Sequence, residues 1–175
     1  MQIKCFLIPM MLIVNLYAQD EVCTVDDRIM YSIASVERHK KTPIGYPYLI
    51  SLNSKSDQKR VAKDKELKKF FLDKRTIDCQ DTETCIAILD RLESNNIVNV
   101  DLGAFQLNYK YWKIPKSSYF DIKKSYSKAC SIVMSHNQNE WTWENIAKYH
   151  SKTKKYNNIY KSTLLAIVEK NIKNN

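Results

Sequence analysis

From Tyr119 to the C-terminus, apolar residues return every three or four positions in three successive blocks, and this periodicity restricts the fold more than any other feature of the chain. The blocks are Ile122, Tyr126, Ala129, Cys130 and Val133; then Trp143, Ile146, Ala147, Tyr149 and His150; then Tyr160, Leu164, Leu165, Val168 and Ile172. Such spacing puts each set on one face of a helix, and each face needs a core to cover it. A further block near the N-terminus, Val25, Ile29, Met30, Ile33, Ala34 and Glu37, has Thr24 followed three residues later by Asp27 as its start signal. That helix must stop near Thr42, Pro43 and Gly45, with Glu37 close to its end. Asp81 or Thr82 caps one more helix, which carries Cys85, Ile86, Ile88, Leu89 and Leu92 and ends at Asn95 and Asn96.

Strand signals are thinner. Residues 46–53, YPYLISLN, read as one extended strand, with a turn over 54–57. Residues 58–72 are rich in lysine, with Phe70, Phe71 and Leu72 as their one strong apolar cluster, and fit either a second strand or a short solvated helix. Residues 98–108 are irregular and hold Gly103, one of only two glycines, which marks a special backbone position. The expected fold is α+β, mainly α, a single domain with one small β-hairpin. At 175 residues and 44% apolar content the chain supports one core rather than two, and it has neither internal repeats nor a linker rich in Pro, Gly or Ser.

The first residues have the character of an export signal: Lys4, an apolar run from residue 5 to residue 14, then Leu16, Tyr17 and Ala18. The run is well short of the roughly 20 apolar residues that a membrane span needs. We expect a signal peptide over residues 1–18, a mature domain over 19–175 and a periplasmic location. Losing Lys4 lowers the formal net charge by one, from +9 to +8. So basic a protein suits a polyanionic partner, and export makes that partner a wall or membrane surface rather than nucleic acid. Only five of the 28 basic residues are arginine, which also argues against a phosphate-reading surface.

Cys5 leaves with the signal, so Cys23, Cys79, Cys85 and Cys130 remain for two disulfides in an oxidising compartment. Of the three possible pairings we favour Cys79 with Cys85, a short local loop, which leaves Cys23 with Cys130. Zinc is the competing use of these residues. No C-x-x-C or H-x-x-x-H spacing is present and His39, His136 and His150 are scattered, so neither metal nor other cofactor is expected.

Glu37 is the candidate for chemistry. A carboxylate on an apolar stripe, at the negative end of a helix, is disfavoured as an anion, and an acid that keeps its proton is what a glycosidase donates to a leaving sugar oxygen. The bland alternative is a helix-end Glu paired with Arg38, Lys40 or Lys41.

Four segments bear on that choice: IASVE, ending in Glu37; YPYLISLN over 46–53; VDLGAFQLN over 100–108; and IAKYHS over 146–151. The first, third and fourth resemble the signature segments of the lytic transglycosylases, the soluble transglycosylase-like family of the lysozyme-like superfamily. The second is similar to the strand after the catalytic helix in the branch associated with conjugation and type IV secretion. Together they span residues 33–151. The chain departs from the commonest pattern in having Arg38 rather than serine after the acid, Phe105 rather than methionine before Gln106, and a long insertion between Asn53 and Asp101.

The resemblance implies a lysozyme-like domain in which Glu37 is the single catalytic acid. It makes Gln106 a cleft-lining residue, puts Tyr149 near the catalytic carboxylate, makes Gly103 a point of tight backbone, and adds Tyr48 and Asn53 on the strand to the substrate-binding set. The implied substrate is the peptidoglycan glycan strand, cut at the MurNAc–GlcNAc β-1,4 bond to leave 1,6-anhydromuramyl ends. The implied role is local opening of the wall for a secretion or conjugation apparatus, whose components would be partners of a monomeric enzyme. Two other readings stand beside this one: a hydrolytic lysozyme using the same Glu37, and a non-catalytic wall-binding or secretion-assembly protein, which the lysine-rich segment 55–74 would suit.

Other residues carry narrower expectations. Tyr46, Tyr48, Tyr109, Tyr111 and Trp112 are candidates for stacking on sugars, with core packing as the alternative. Asp101, just before a glycine turn, is expected to hold nearby backbone amides; facing Glu37 across a cleft, it would instead favour hydrolysis. His150 and Ser151 lack any G-x-S-x-G elbow and read as helix-end polar residues.

Overall fold

The computed structural model describes residues 22–173, so the signal peptide expected over residues 1–18 lies outside the described residues. Helix α1, Asp27–Glu37, is capped by Asp26, whose carboxylate accepts from the Arg28 N–H at 2.8 Å. The expected cap, Thr24, is therefore replaced by a residue two positions on, beside the first free amides. Met30, Ile33 and Ala34 on the predicted stripe are buried. The helix stops earlier than Pro43 requires: Arg38 is already extended, which makes Glu37 the last helical residue.

The single hairpin expected from sequence is instead a four-stranded antiparallel sheet. It comprises β1 (Leu49–Leu52), β2 (Thr76–Asp78), β3 (Val100–Leu102) and β4 (Leu107–Asn108) in the order β2-β1-β3-β4. Ile50 on the central strand stands opposite Ile77 on one side and Leu102 on the other, and all of β1 is buried. The flanking strands are two or three residues long, too short to print an alternating pattern on the sequence.

The turn expected over 54–57 is the start of α2, Lys55–Val61, where Ser54 accepts from the Asp57 N–H at 3.4 Å. Of the two options open for residues 58–72, the helical one holds: α2 runs to Val61 and a 3₁₀ turn follows at Lys68–Phe70. Helix α3, Thr82–Ser94, begins at the Asp81 cap and ends at Asn95, as its sequence signals indicate. After α4 (Lys116–Tyr119) come α5 (Ile122–His136), α6 (Trp143–Ala147) and α7 (Lys154–Lys173). Asp121 caps α5 and Thr142 caps α6, and α7 packs on both α1 and α6.

Disulfides join Cys23 to Cys130, with Cα atoms 5.8 Å apart, and Cys79 to Cys85, 5.0 Å apart. The architecture is α+β and mainly α. No helix among the described residues is long and apolar enough to cross a membrane, and no three His, Cys, Asp or Glu side chains among them converge to hold a metal ion.

Candidate active site

The end of α1, the sheet and the segment joining α6 to α7 meet around a cleft of about 310 Å³. Its lining includes Glu37, Asn53, Gln106 and Tyr149, four of the residues singled out in the sequence, together with Asp101, Arg75 and His150. The Glu37 side chain is 13% exposed, and its Oε1 is buried with no hydrogen-bond partner among the described residues. An unpartnered buried carboxylate oxygen is costly and calls for an explanation in structure or function.

His150 supplies part of its surroundings. Its Nδ1 lies 3.7 Å from Glu37 Oε1, an ion-pair separation longer than a hydrogen bond, and its ring stacks on that of Tyr160 at 4.7 Å between centroids. The Glu37 carboxylate holds the imidazole above its ordinary value, against burial, which pulls the other way. The Tyr160 hydroxyl is also buried without a hydrogen-bond partner among the described residues, and burial first, then the Glu37 charge, pushes it up. His150 is thus more than the helix-end polar residue expected from sequence. It follows Tyr149 directly in a turn that folds back on the α1 terminus, and that adjacency was the available signal.

Tyr149 is fixed by donating its hydroxyl to the Phe105 carbonyl at 2.6 Å. Gln106 sits in the turn between β3 and β4 with φ +47°, a left-handed conformation uncommon for a residue with a side chain, and its Nε2 donates to the Gly103 carbonyl at 2.9 Å. Gly103 has φ +74°, and a Cβ there would run into the Tyr119 carbonyl oxygen. The glycine therefore lets this turn close against α4 and aim Gln106 at the cleft, while Gly103 itself is not part of the lining.

The cleft that holds Glu37 also holds a polar row. Arg75 Nη2 donates to Asn53 Oδ1 at 2.9 Å and to Asp101 Oδ2 at 3.3 Å, and Asn108 Nδ2 donates to Asp101 Oδ1 at 2.8 Å. Asp101 thus pairs with side chains rather than with the backbone amides expected of it, and its carboxylate belongs to the cleft. Burial pushes its carboxyl above the usual range and the Glu37 charge adds to this, while Asn108 and Arg75 act in the opposite sense.

Of the aromatic candidates, Tyr111 and Trp112 line the cleft. The other three do not. Tyr46 donates its hydroxyl to Asp78 at 2.8 Å, Tyr48 packs edge-on against Tyr46, and Tyr109 is buried with its hydroxyl on Glu93 at 2.8 Å. Tyr48 falls outside the cleft because it precedes β1 and packs against the core, whereas Asn53, just past the end of β1, reaches it.

Set against protein-family models, curated proteins and solved structures, the chain finds no match.

Proposed function

We propose that the chain is a peptidoglycan lytic transglycosylase of lysozyme-like character, exported to the periplasm, with Glu37 as its acid and base. The observation that carries this reading is the buried Glu37 oxygen, without a hydrogen-bond partner among the described residues, at the margin of a cleft that also holds Gln106, Tyr149 and Asn53. The resemblance of the segments contributing these residues to the transglycosylase signatures supports it further.

In the first step Glu37 donates its proton to the oxygen linking N-acetylmuramic acid to N-acetylglucosamine. The glycosidic bond breaks, and positive charge develops at the muramyl anomeric carbon. The substrate's own acetamido oxygen stabilises that carbon. Glu37, now a carboxylate, removes the proton of the sugar's 6-hydroxyl, whose oxygen bonds to the anomeric carbon and closes the 1,6-anhydro ring. The proton returns to Glu37 and no water is consumed. His150 Nδ1 lies 3.7 Å from the Glu37 carboxyl oxygen, Gln106 and Asn53 offer amide groups to sugar hydroxyls, and Tyr111 and Trp112 offer faces for stacking. Opening of the wall for a secretion or conjugation machine is the role we propose for this activity.

Replacing Glu37 with Gln keeps the shape and removes the proton, and should lower muropeptide release from purified peptidoglycan about 10²–10⁴-fold. Release at the wild-type rate by the folded variant would contradict the assignment. One observation favours hydrolysis as a second reading: Asp101 lines the same cleft as Glu37, as the second carboxylate of a muramidase would.

A further inference from the structure

Beside the catalytic cleft lies a larger groove of about 1020 Å³, which shares Asn53, Arg75 and His150 with it. Two separate elements make it basic. Lys55 and Lys59 stand one turn apart on α2 and so project from the same face, while Lys74 and Arg75 come from the turn entering β2. That turn is fixed by Asp73, whose Oδ1 accepts from the Arg75 and Thr76 amides, each at 2.8 Å. No carboxylate lines the groove, and Lys55, Lys59 and Lys74 have no ion-pair partner among the described residues.

Three lysines without an ion-pair partner among the described residues, gathered on one concave surface beside an Arg75 already paired with Asp101, attract an anion, and continuity with the cleft determines which anion reaches them. A glycan strand held against Glu37 brings its own substituents into this groove. Those of muramic acid that carry charge are the peptide stems, with free carboxylates on flexible chains. Lysines suit such a partner, because an ammonium group is a point charge that demands no fixed geometry. We infer that the groove between α2 and the start of α7 is a subsite for the carboxylates of peptide stems, through which the protein selects peptide-bearing over peptide-free glycan. This rests on the transglycosylase reading for the identity of the strand, and it gives the lysine-rich insertion a task at the active site.

The test is calorimetric titration of the mature chain with three soluble probes: a muramyl disaccharide carrying a tetrapeptide with free carboxylates, the same fragment with its carboxylates amidated, and the bare disaccharide. Three screened surface pairs should together give the free-carboxylate fragment a preference of about tenfold. That preference should shrink towards parity when salt rises from about 0.05 M to about 0.5 M. In the Lys55→Glu, Lys59→Glu, Lys74→Glu variant it should vanish or reverse, and the salt series on the unaltered protein gives an answer even if the variant folds poorly. Equal affinity for the three probes, or a preference indifferent to salt, overturns the inference. Peptidoglycan digestion run alongside separates the two ideas: carboxylate selection without glycan cleavage would leave the subsite standing and remove the transglycosylase, whereas cleavage without selection would do the reverse.

Discussion

At the scale of residues, the pairing of Glu37 with His150 has a consequence that can be read in stability. His150 binds its proton more tightly in the folded protein, so its contribution is complete below its unfolded value near 6.5 and is lost as pH rises through its higher folded value. Asp101, Arg75 and Tyr160 also surround the ring, and Glu37 dominates among them. Urea midpoints of the wild type and of His150→Gln, measured from about pH 5.5 to about pH 8.5, should therefore converge or cross as pH rises, the wild type losing ground. A constant offset would contradict the pairing. Glu37, Asn53, Gln106 and Tyr149 could be gathered into one candidate site from sequence because each lies in a segment with a recognisable pattern. Arg75 could not, since nothing local in the sequence marks a residue whose role comes from a contact with a distant segment, and His150 was marked only by standing next to Tyr149. Tyr48 misled for the related reason that an aromatic ring in a strand-like run has the same signature whether it faces a ligand or a core.

At the scale of elements, helices were readable wherever an apolar face and a capping residue coincided. Helix α3 is the clearest case, with Asp81 at its start, Cys85, Ile88, Leu89 and Leu92 on its buried face, and Asn95 at its end. The start of α2 reads as a turn, and its remainder as no more than one of two options, because its buried contribution is Val61 alone and a run of polar residues after a serine reads equally well as a loop. The sheet was underestimated because β1 is covered on both faces and its neighbours are very short, so the chain carries no alternation to count. The elements hardest to see matter most to the site. The β3–β4 turn presents Gln106, and α2 with the turn into β2 forms the basic groove.

At the scale of the whole molecule, two disulfides close loops of very different size. Cys23–Cys130 spans 107 residues of sequence and ties the segment before α1 to α5, whereas Cys79–Cys85 spans six. On loop entropy, replacing the first pair with serines should cost about 4–5 kcal/mol and the second about 2 kcal/mol. Thermal melting should show the larger fall in Tm for the first pair, and equal falls would mean that chain entropy is not the main term. Whether the cleft acts on a glycan strand as proposed is decided by the chemical identity of any new chain end. Mass spectrometry of muropeptides released by the wild type from purified peptidoglycan should find 1,6-anhydromuramyl ends, absent when Glu37→Gln is used in its place. Reducing muramyl ends would contradict the account and would make Asp101 the partner of Glu37 in a hydrolase.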